Sequence, residues 1–203
     1  MEPVGPIASA RQRSQIETRR RLLDAATTLY FEQGARGTRT NDVAAAAGVA
    51  VGTVYLHFKD KDALLAEILR QGLVRMKQEL AKLPADDGRS GYAAVRSKMT
   101  AIAAFCERYP AEAAILFDPG NLTTAPGQEI QEFLTDSQER GLLTGIADGY
   151  YRGDLHSGLV ARALVGILLQ VLGWWARNPG AVSRGEVIEV LTEIRMNGLQ
   201  PTL

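Results

Sequence analysis

The residues best suited to chemistry lie between Thr40 and Phe58, and the chemistry they suit is recognition. Val43-Ala44-Ala45-Ala46-Ala47-Gly48-Val49 reads as the first half of a helix-turn-helix. Two helices that cross closely need a small residue at the contact, here Ala44. The turn between them needs a residue that tolerates positive φ, here Gly48. Val43, Ala47, Val49 and Val54 supply a small core to hold the second helix at its angle. That second helix, about Val51 to Phe58, carries Thr53, Tyr55 and His57 as polar groups able to face DNA.

Catalytic patterns are missing by comparison. The chain has two histidines, no His/Glu metal spacing, no glycine-rich phosphate loop and no nucleophile elbow. The expectation is a protein that is not an enzyme, with no metal and no cofactor. Composition agrees with a folded chain: 203 residues, 46% hydrophobic and 23% charged, with formal net charge zero. The charge is unevenly spread, however. Residues 1–61 hold nine Lys/Arg against six Asp/Glu, and residues 62–203 hold fourteen against seventeen. A basic head on a mildly acidic body suits nucleic-acid binding by the head alone.

The elements that must position the motif are helices almost throughout, giving an all-α fold of about nine helices. Residues 1–13 read as a flexible basic arm, whose Arg11 and Arg13 suit either solvent or a minor groove. Ser14 with Glu17 reads as a capping box opening a helix with Ile16, Leu23, Ala26 and Tyr30 on one face, which Gly34 stops. Arg19, Arg20 and Arg21 read either as a solvated charge run or as phosphate contacts. Asp60 caps a long helix carrying Leu64, Leu65, Ile68, Leu69, Leu73, Met76 and Leu80, followed by Pro84 and a polar turn over Ala85 to Ser90.

Further along, Tyr92, Val95, Met99, Ile102 and Cys106 share a helical face, and Pro110 opens a short helix to about Phe117. Asp118 to Gly127 reads as a loop, and a helix follows from about Gln128 to Tyr151. There Ser137, Gly141, Gly145 and Gly149 recur every four residues. Glycine inside a helix costs about 1 kcal/mol, so the stripe reads as close helix packing or as room for a ligand. His156 or Ser157 begins an apolar helix ending before Asn178, and Ser183 with Glu186 makes a capping box for a last helix with Val187, Ile188, Leu191 and Ile194. The apolar run Leu164 to Ala176 is shorter than the roughly 20 residues a bilayer requires, so it reads as a buried helix. The single Cys106 on an apolar face reads as a structural thiol, and with no signal peptide visible the expected location is the cytoplasm.

The run Thr38-Arg39-Thr40-Asn41-Asp42-Val43-Ala44, then Gly48-Val49, then Gly52-Thr53-Val54-Tyr55-Leu56-His57-Phe58-Lys59-Asp60-Lys61-Asp62-Ala63-Leu64-Leu65, closely resembles the DNA-binding domain of the TetR family. The close resemblance covers about Arg19 to Leu69. It implies that Gly52 lets the recognition helix approach DNA and that Thr53 reaches a phosphate or a base edge. Tyr55, His57 and Lys61 are implied as phosphate contacts, with Thr40 and Asn41 flanking the groove. Ala50 and Val51 depart from the pattern, which favours a capping Ser or Thr and then a polar residue. The missing cap costs roughly 1 kcal/mol, and Val51 offers only apolar contact, for example to a thymine methyl. Arg39 stands where a capping Thr is common, leaving Thr38 or Thr40 as candidate caps and Arg39 itself free to reach DNA.

The resemblance also implies the organisation: the arm over 1–13, a helix-turn-helix domain over 14–60, and a ligand-binding and dimerisation domain over 61–203. It implies a homodimer paired through its last two helices on a palindromic operator, and repression released by a small-molecule effector. Phe105, Leu116, Phe117, Leu142, Ile146, Tyr150 and Trp174 are the candidate pocket lining, and their apolar character points to an apolar or aromatic effector. Of the adjacent Trp174 and Trp175, set about 100° apart on a helix, one is expected in the core and the other toward a partner or pocket. The alternatives are a ligand-responsive activator and a helical-bundle interaction protein without specific operator reading.

Overall fold

The computed structural model describes residues 10–83 and 91–199. The expected arm falls mostly, and the turn over 85–90 wholly, outside them. Among the described residues there are nine α-helices, one 3-10 turn and no strand, and the chain divides into two compact units between Glu67 and Ile68.

In the first unit α1 spans Ala10–Gly37, α2 Thr40–Ala46 and α3 Val51–His57, and α4 (Lys61–Leu80) begins. Leu22, Leu23, Ala26 and Tyr30 of α1 are buried, as are Val43, Ala44, Ala47, Val54, Phe58, Leu64 and Leu65. Fully burying one such large side chain is worth about 1.5–3 kcal/mol, enough to hold two seven-residue helices that would not persist alone. Gly34 (φ 75°) breaks α1 where expected, and Gly48 (φ 65°) makes the turn after α2. Asp60 caps α4, accepting from the Ala63 amide at 2.8 Å.

The start of α1 differs from the expectation. The helix runs back to Ala10, so Ser14 and Glu17 lie inside it and form no box. Glu17 instead accepts two hydrogen bonds from Arg20 at 2.7 and 3.1 Å, which lowers its pKa, and Ile16 is 64% exposed. An acid three residues before an arginine is satisfied by that arginine, and the helix end moves upstream.

The second unit holds the rest of α4, then α5 (Gly91–Arg108), α6 (Pro110–Leu116), a 3-10 turn over Pro119–Thr123, α7 (Ala125–Ala147), α8 (Ser157–Arg177) and α9 (Arg184–Leu199). The expected loop after Phe117 is therefore largely structured. Asp118 accepts from the Gly120 amide and Thr124 from the Gly127 amide, two short side-chain caps that local hydropathy does not reveal. The second capping box forms: the Ser183 amide donates to Glu186 Oε2 at 2.8 Å, and the Glu186 amide to Ser183 Oγ at 3.2 Å.

Within the glycine stripe on α7, Gly145 has a packing reason, while Gly141 makes only ordinary contact. A Cβ on Gly145 would lie 2.3 Å from the Tyr151 ring, and one on Gly141 would lie 3.6 Å from the Arg195 guanidinium. Arg195 in turn donates to Tyr151 Oη at 3.0 Å and to Gln138 Oε1 at 2.5 Å. Gly149 (φ 78°) follows the helix end.

Candidate nucleic-acid interface

The outward side of α3 is the surface the motif builds. Val54 and the following Phe58 are buried at 2% and 4%, which anchors the opposite side of the helix. Tyr55 is 55% exposed and Val51 37%, while Thr53 and His57 are half-buried. Gly52 is exposed, and a Cβ there would meet nothing within 4 Å, so backbone can approach a partner closely at this point. Ala50 is the N-cap of α3 and makes no side-chain cap bond, as its side chain dictates.

At α2, Thr40 is the first helical residue and half-buried, and Asn41 is exposed. Neither candidate threonine caps the helix. Thr38 is 1% exposed and donates to the Gly34 carbonyl at 3.0 Å, and the cap is made in reverse, the Arg39 amide donating to Asp42 Oδ2 at 3.0 Å. The Arg39 side chain is left on the surface at the N-terminal edge of α2. Lys61 is partly occupied: its Nζ donates to the Thr38 carbonyl at 3.1 Å and the Arg36 carbonyl at 3.4 Å. An ammonium has three donors, so these two carbonyls take two of them.

Two of the three arginines over 19–21 are tied into the unit. Arg19 donates to the His57 carbonyl at 3.1 Å, pairs with Glu67 at 2.9 Å and stacks 4.3 Å over the Phe58 ring. It thereby ties α1 to the C-terminal end of α3 and to α4. Arg21 donates to the carbonyls of Ala47 and Gly48, closing the C-terminal end of α2. Of the three, Arg20 is the solvated one, paired with Glu17 and Asp24 on the surface. The signal for Arg19 was its register: it lies three, four, seven and eleven residues before Leu22, Leu23, Ala26 and Tyr30, on the buried stripe.

The candidate pocket residues of the second unit do not share one environment. Phe105, Leu116, Phe117 and Leu142 are buried, with Phe105 and Phe117 edge-to-face at 6.3 Å between ring centres. Ile146 is half-buried, Tyr150 is 40% exposed beside Gly91, and Trp174 is 46% exposed. Trp175 is the inward member of the pair, 6% exposed with its indole donating to the Val182 carbonyl at 3.2 Å.

Helix α8 is longer and less enclosed than the run 164–176 suggests. By length and composition alone its 21 residues are long and apolar enough to cross a membrane, a property shared by core helices of soluble proteins, and 39% of its most apolar stretch is buried. Leu159 is 68% exposed, and on α9 Val190 and Ile194 are 50% and 45% exposed.

Cys106 is 2% exposed, and burial pushes its thiol up to about 12. Alkylation of the native protein at pH 8 is therefore expected to be negligible and to proceed only on unfolding, as thiol titration in and out of urea would show. Because the folded thiol ionises later than the unfolded one, whose ordinary value is 9.0, stability from this group is intact below about pH 9 and falls as pH rises toward 12.

A helix-turn-helix whose second helix is anchored by buried residues on one side and open on the other has the arrangement of a recognition helix that enters a DNA major groove. Comparison with known proteins places it more narrowly. Residues 22–68 match the family model for bacterial regulatory proteins of the TetR family. The chain is 30% identical over 186 residues to the HTH-type transcriptional repressor KstR2 of Rhodococcus jostii, covering 89% of this chain and 90% of that one. It is 24% identical over 192 residues to the fatty acid metabolism regulator protein of Bacillus subtilis, covering 88% and 93%. The solved structure of a TetR-like transcriptional regulator from Rhodococcus sp. RHA1 superposes with a TM-score of 0.70 at 20% identity, covering 95% of this chain and 98% of that one. The chain belongs to the TetR family of DNA-binding transcriptional regulators.

Proposed function

We propose that this chain is a homodimeric, cytoplasmic repressor, without catalytic activity, that binds a palindromic operator through α3 and is released by a small apolar effector bound in its second unit. The observation that carries the operator-binding reading is the outer side of α3, where Gly52, Thr53 and Tyr55 are accessible while Val54 and Phe58 are buried. Tyr55, His57 and the spare donor of Lys61 are assigned to phosphates. Thr40 and Asn41 flank the groove from α2, with Arg39 at its edge. Val51 and Thr53 are assigned to base edges. The sense of regulation is supported by the KstR2 relative, which is named a repressor.

Dimerisation is assigned to α8 and α9. Their exposed Leu159, Trp174, Val190 and Ile194 are apolar area that a second copy would cover. Trp174 thus moves from the candidate pocket to the partner-facing surface. The effector site is assigned to the buried Phe105, Leu116, Phe117 and Leu142, with the half-buried Ile146 and the exposed Tyr150 as further candidates. The first four are buried, so the effector acts by favouring an opened arrangement and, with it, one separation of the two reading heads. The Bacillus subtilis relative, named for fatty acid metabolism, supports an apolar ligand.

Titration of genomic fragments at moderate salt is expected to reveal a palindromic site bound at least a hundredfold better than random DNA. Binding no better than random would overturn the reading in favour of an interaction protein. Lys61→Ala is expected to weaken binding to every sequence and to lower the slope of log affinity against log salt by about one. An unchanged slope would leave Lys61 as a clasp on the α1–α2 junction only.

A further inference from the structure

One side chain of α3 is explained neither by the turn nor by the core. Leu56 is 84% exposed, more than any other large apolar side chain among the described residues. At about 100° per residue, Leu56 points roughly opposite the direction shared by Val54 and Phe58. Gly52 lies about 40° to one side of that outward line and Thr53 about 60° to the other. The gap left at Gly52 keeps the lane beside Leu56 open.

The chemistry of this lane is narrow. Val51–His57 contains no Lys, Arg, Asn, Gln, Asp or Glu, so the helix has none of the side chains that pair in a bidentate fashion with guanine or adenine. What it offers at its most outward point is a branched hydrocarbon. The one apolar group a B-DNA major groove presents is the C5-methyl of thymine. We propose that Leu56 is a specificity residue that reads the C5-methyl group of one thymine in each operator half-site. This rests on the reading that α3 enters the major groove, and it names the base chemistry that α3 recognises there.

The test uses the full chain and a duplex that it selects from a random double-stranded library. Each thymine of that duplex is then replaced in turn by deoxyuridine, which pairs identically and lacks the methyl. At one symmetry-related pair of positions the parent protein is expected to lose about fourfold in affinity per half-site and about fifteenfold for both, the value of burying one methyl group twice. Leu56→Ala, which removes an exposed side chain and should leave the melting temperature unchanged, is expected to bind the thymine duplex more weakly and to show no difference between thymine and uracil there. A selected duplex that tolerates uracil everywhere, or a uracil penalty that persists in Leu56→Ala, overturns the proposal while leaving operator binding intact. If the library yields no preferred duplex, the operator reading itself falls, and this proposal with it.

Discussion

Arg19→Ala is expected to lower the unfolding free energy by about 2 kcal/mol and to reduce operator affinity by more than the loss of one positive charge accounts for. The guanidinium makes three contacts at once: the His57 carbonyl, the Glu67 carboxylate and the Phe58 ring. A hydrogen bond from a charged donor contributes about 1.5–3 kcal/mol when buried. Arg19 is 38% exposed, so solvent screens part of that value, and an exposed cation–π contact adds about 0.5–1 kcal/mol. The effect on binding follows from position. Arg19 holds the last carbonyl of α3 and the residue that ends it, so its loss frees the C-terminal end of the reading helix.

Arg20→Ala is the matched control. It removes the same charge one residue away from a solvated pair with Glu17 and Asp24, and should change stability by less than about 0.5 kcal/mol. Urea unfolding of the two variants decides the point. Equal stabilities would show that the Arg19 contacts contribute nothing beyond a surface charge. Arg19→Lys should recover little, because an ammonium cannot fork between a carbonyl and a carboxylate while stacking on a ring.

The second large effect is expected in the other unit. Gly127→Ala should cost about 3 kcal/mol, because the new Cβ would fall 2.0 Å from the Asn121 carbonyl oxygen and 2.6 Å from its carbon. These are backbone atoms, and no rotamer change relieves the overlap. Nor can the segment shift freely. Asn121 is 7% exposed and donates to the Ile115 carbonyl at 2.9 Å, and Thr124 donates to the Asn121 carbonyl at 2.6 Å. Relief would require separating the 3-10 turn from the first turn of α7. Gly198→Ala, where a Cβ meets nothing within 4 Å, should be neutral or stabilising by less than about 1 kcal/mol. If denaturant midpoints for the two variants coincide, the close approach at Gly127 is not a determinant of stability.

Both predictions concern features that were hard to read from the chain. The turn at Gly48, the small contact at Ala44, the buried Val43 and Val54 and the second capping box at Ser183 were legible, because each depends on residues within a few positions of one another. The box at Ser14 misled for the same reason: the local pattern was right, but Glu17 had a better partner in Arg20. The fate of Arg19 depends on His57 and Glu67, 38 and 48 residues away, and no local pattern identifies such partners. Burial within the second unit was the least legible part, since residues equally apolar in sequence, such as Phe117 and Trp174, differ in exposure, 2% against 46%.

Sequence alone determined the class of this protein. Periodicity and short-range turn chemistry specify helices and a helix-turn-helix, and those are local properties of the backbone and its nearest side chains. Tertiary structure decided which groups are spent on holding the reading unit together and which are left to read. Arg19, Arg21 and two of the three Lys61 donors are consumed by carbonyls and a carboxylate, while Leu56 is left standing outward on α3. A side chain's availability to a partner depends on what distant segments bring to it, and only the folded chain sets that distance.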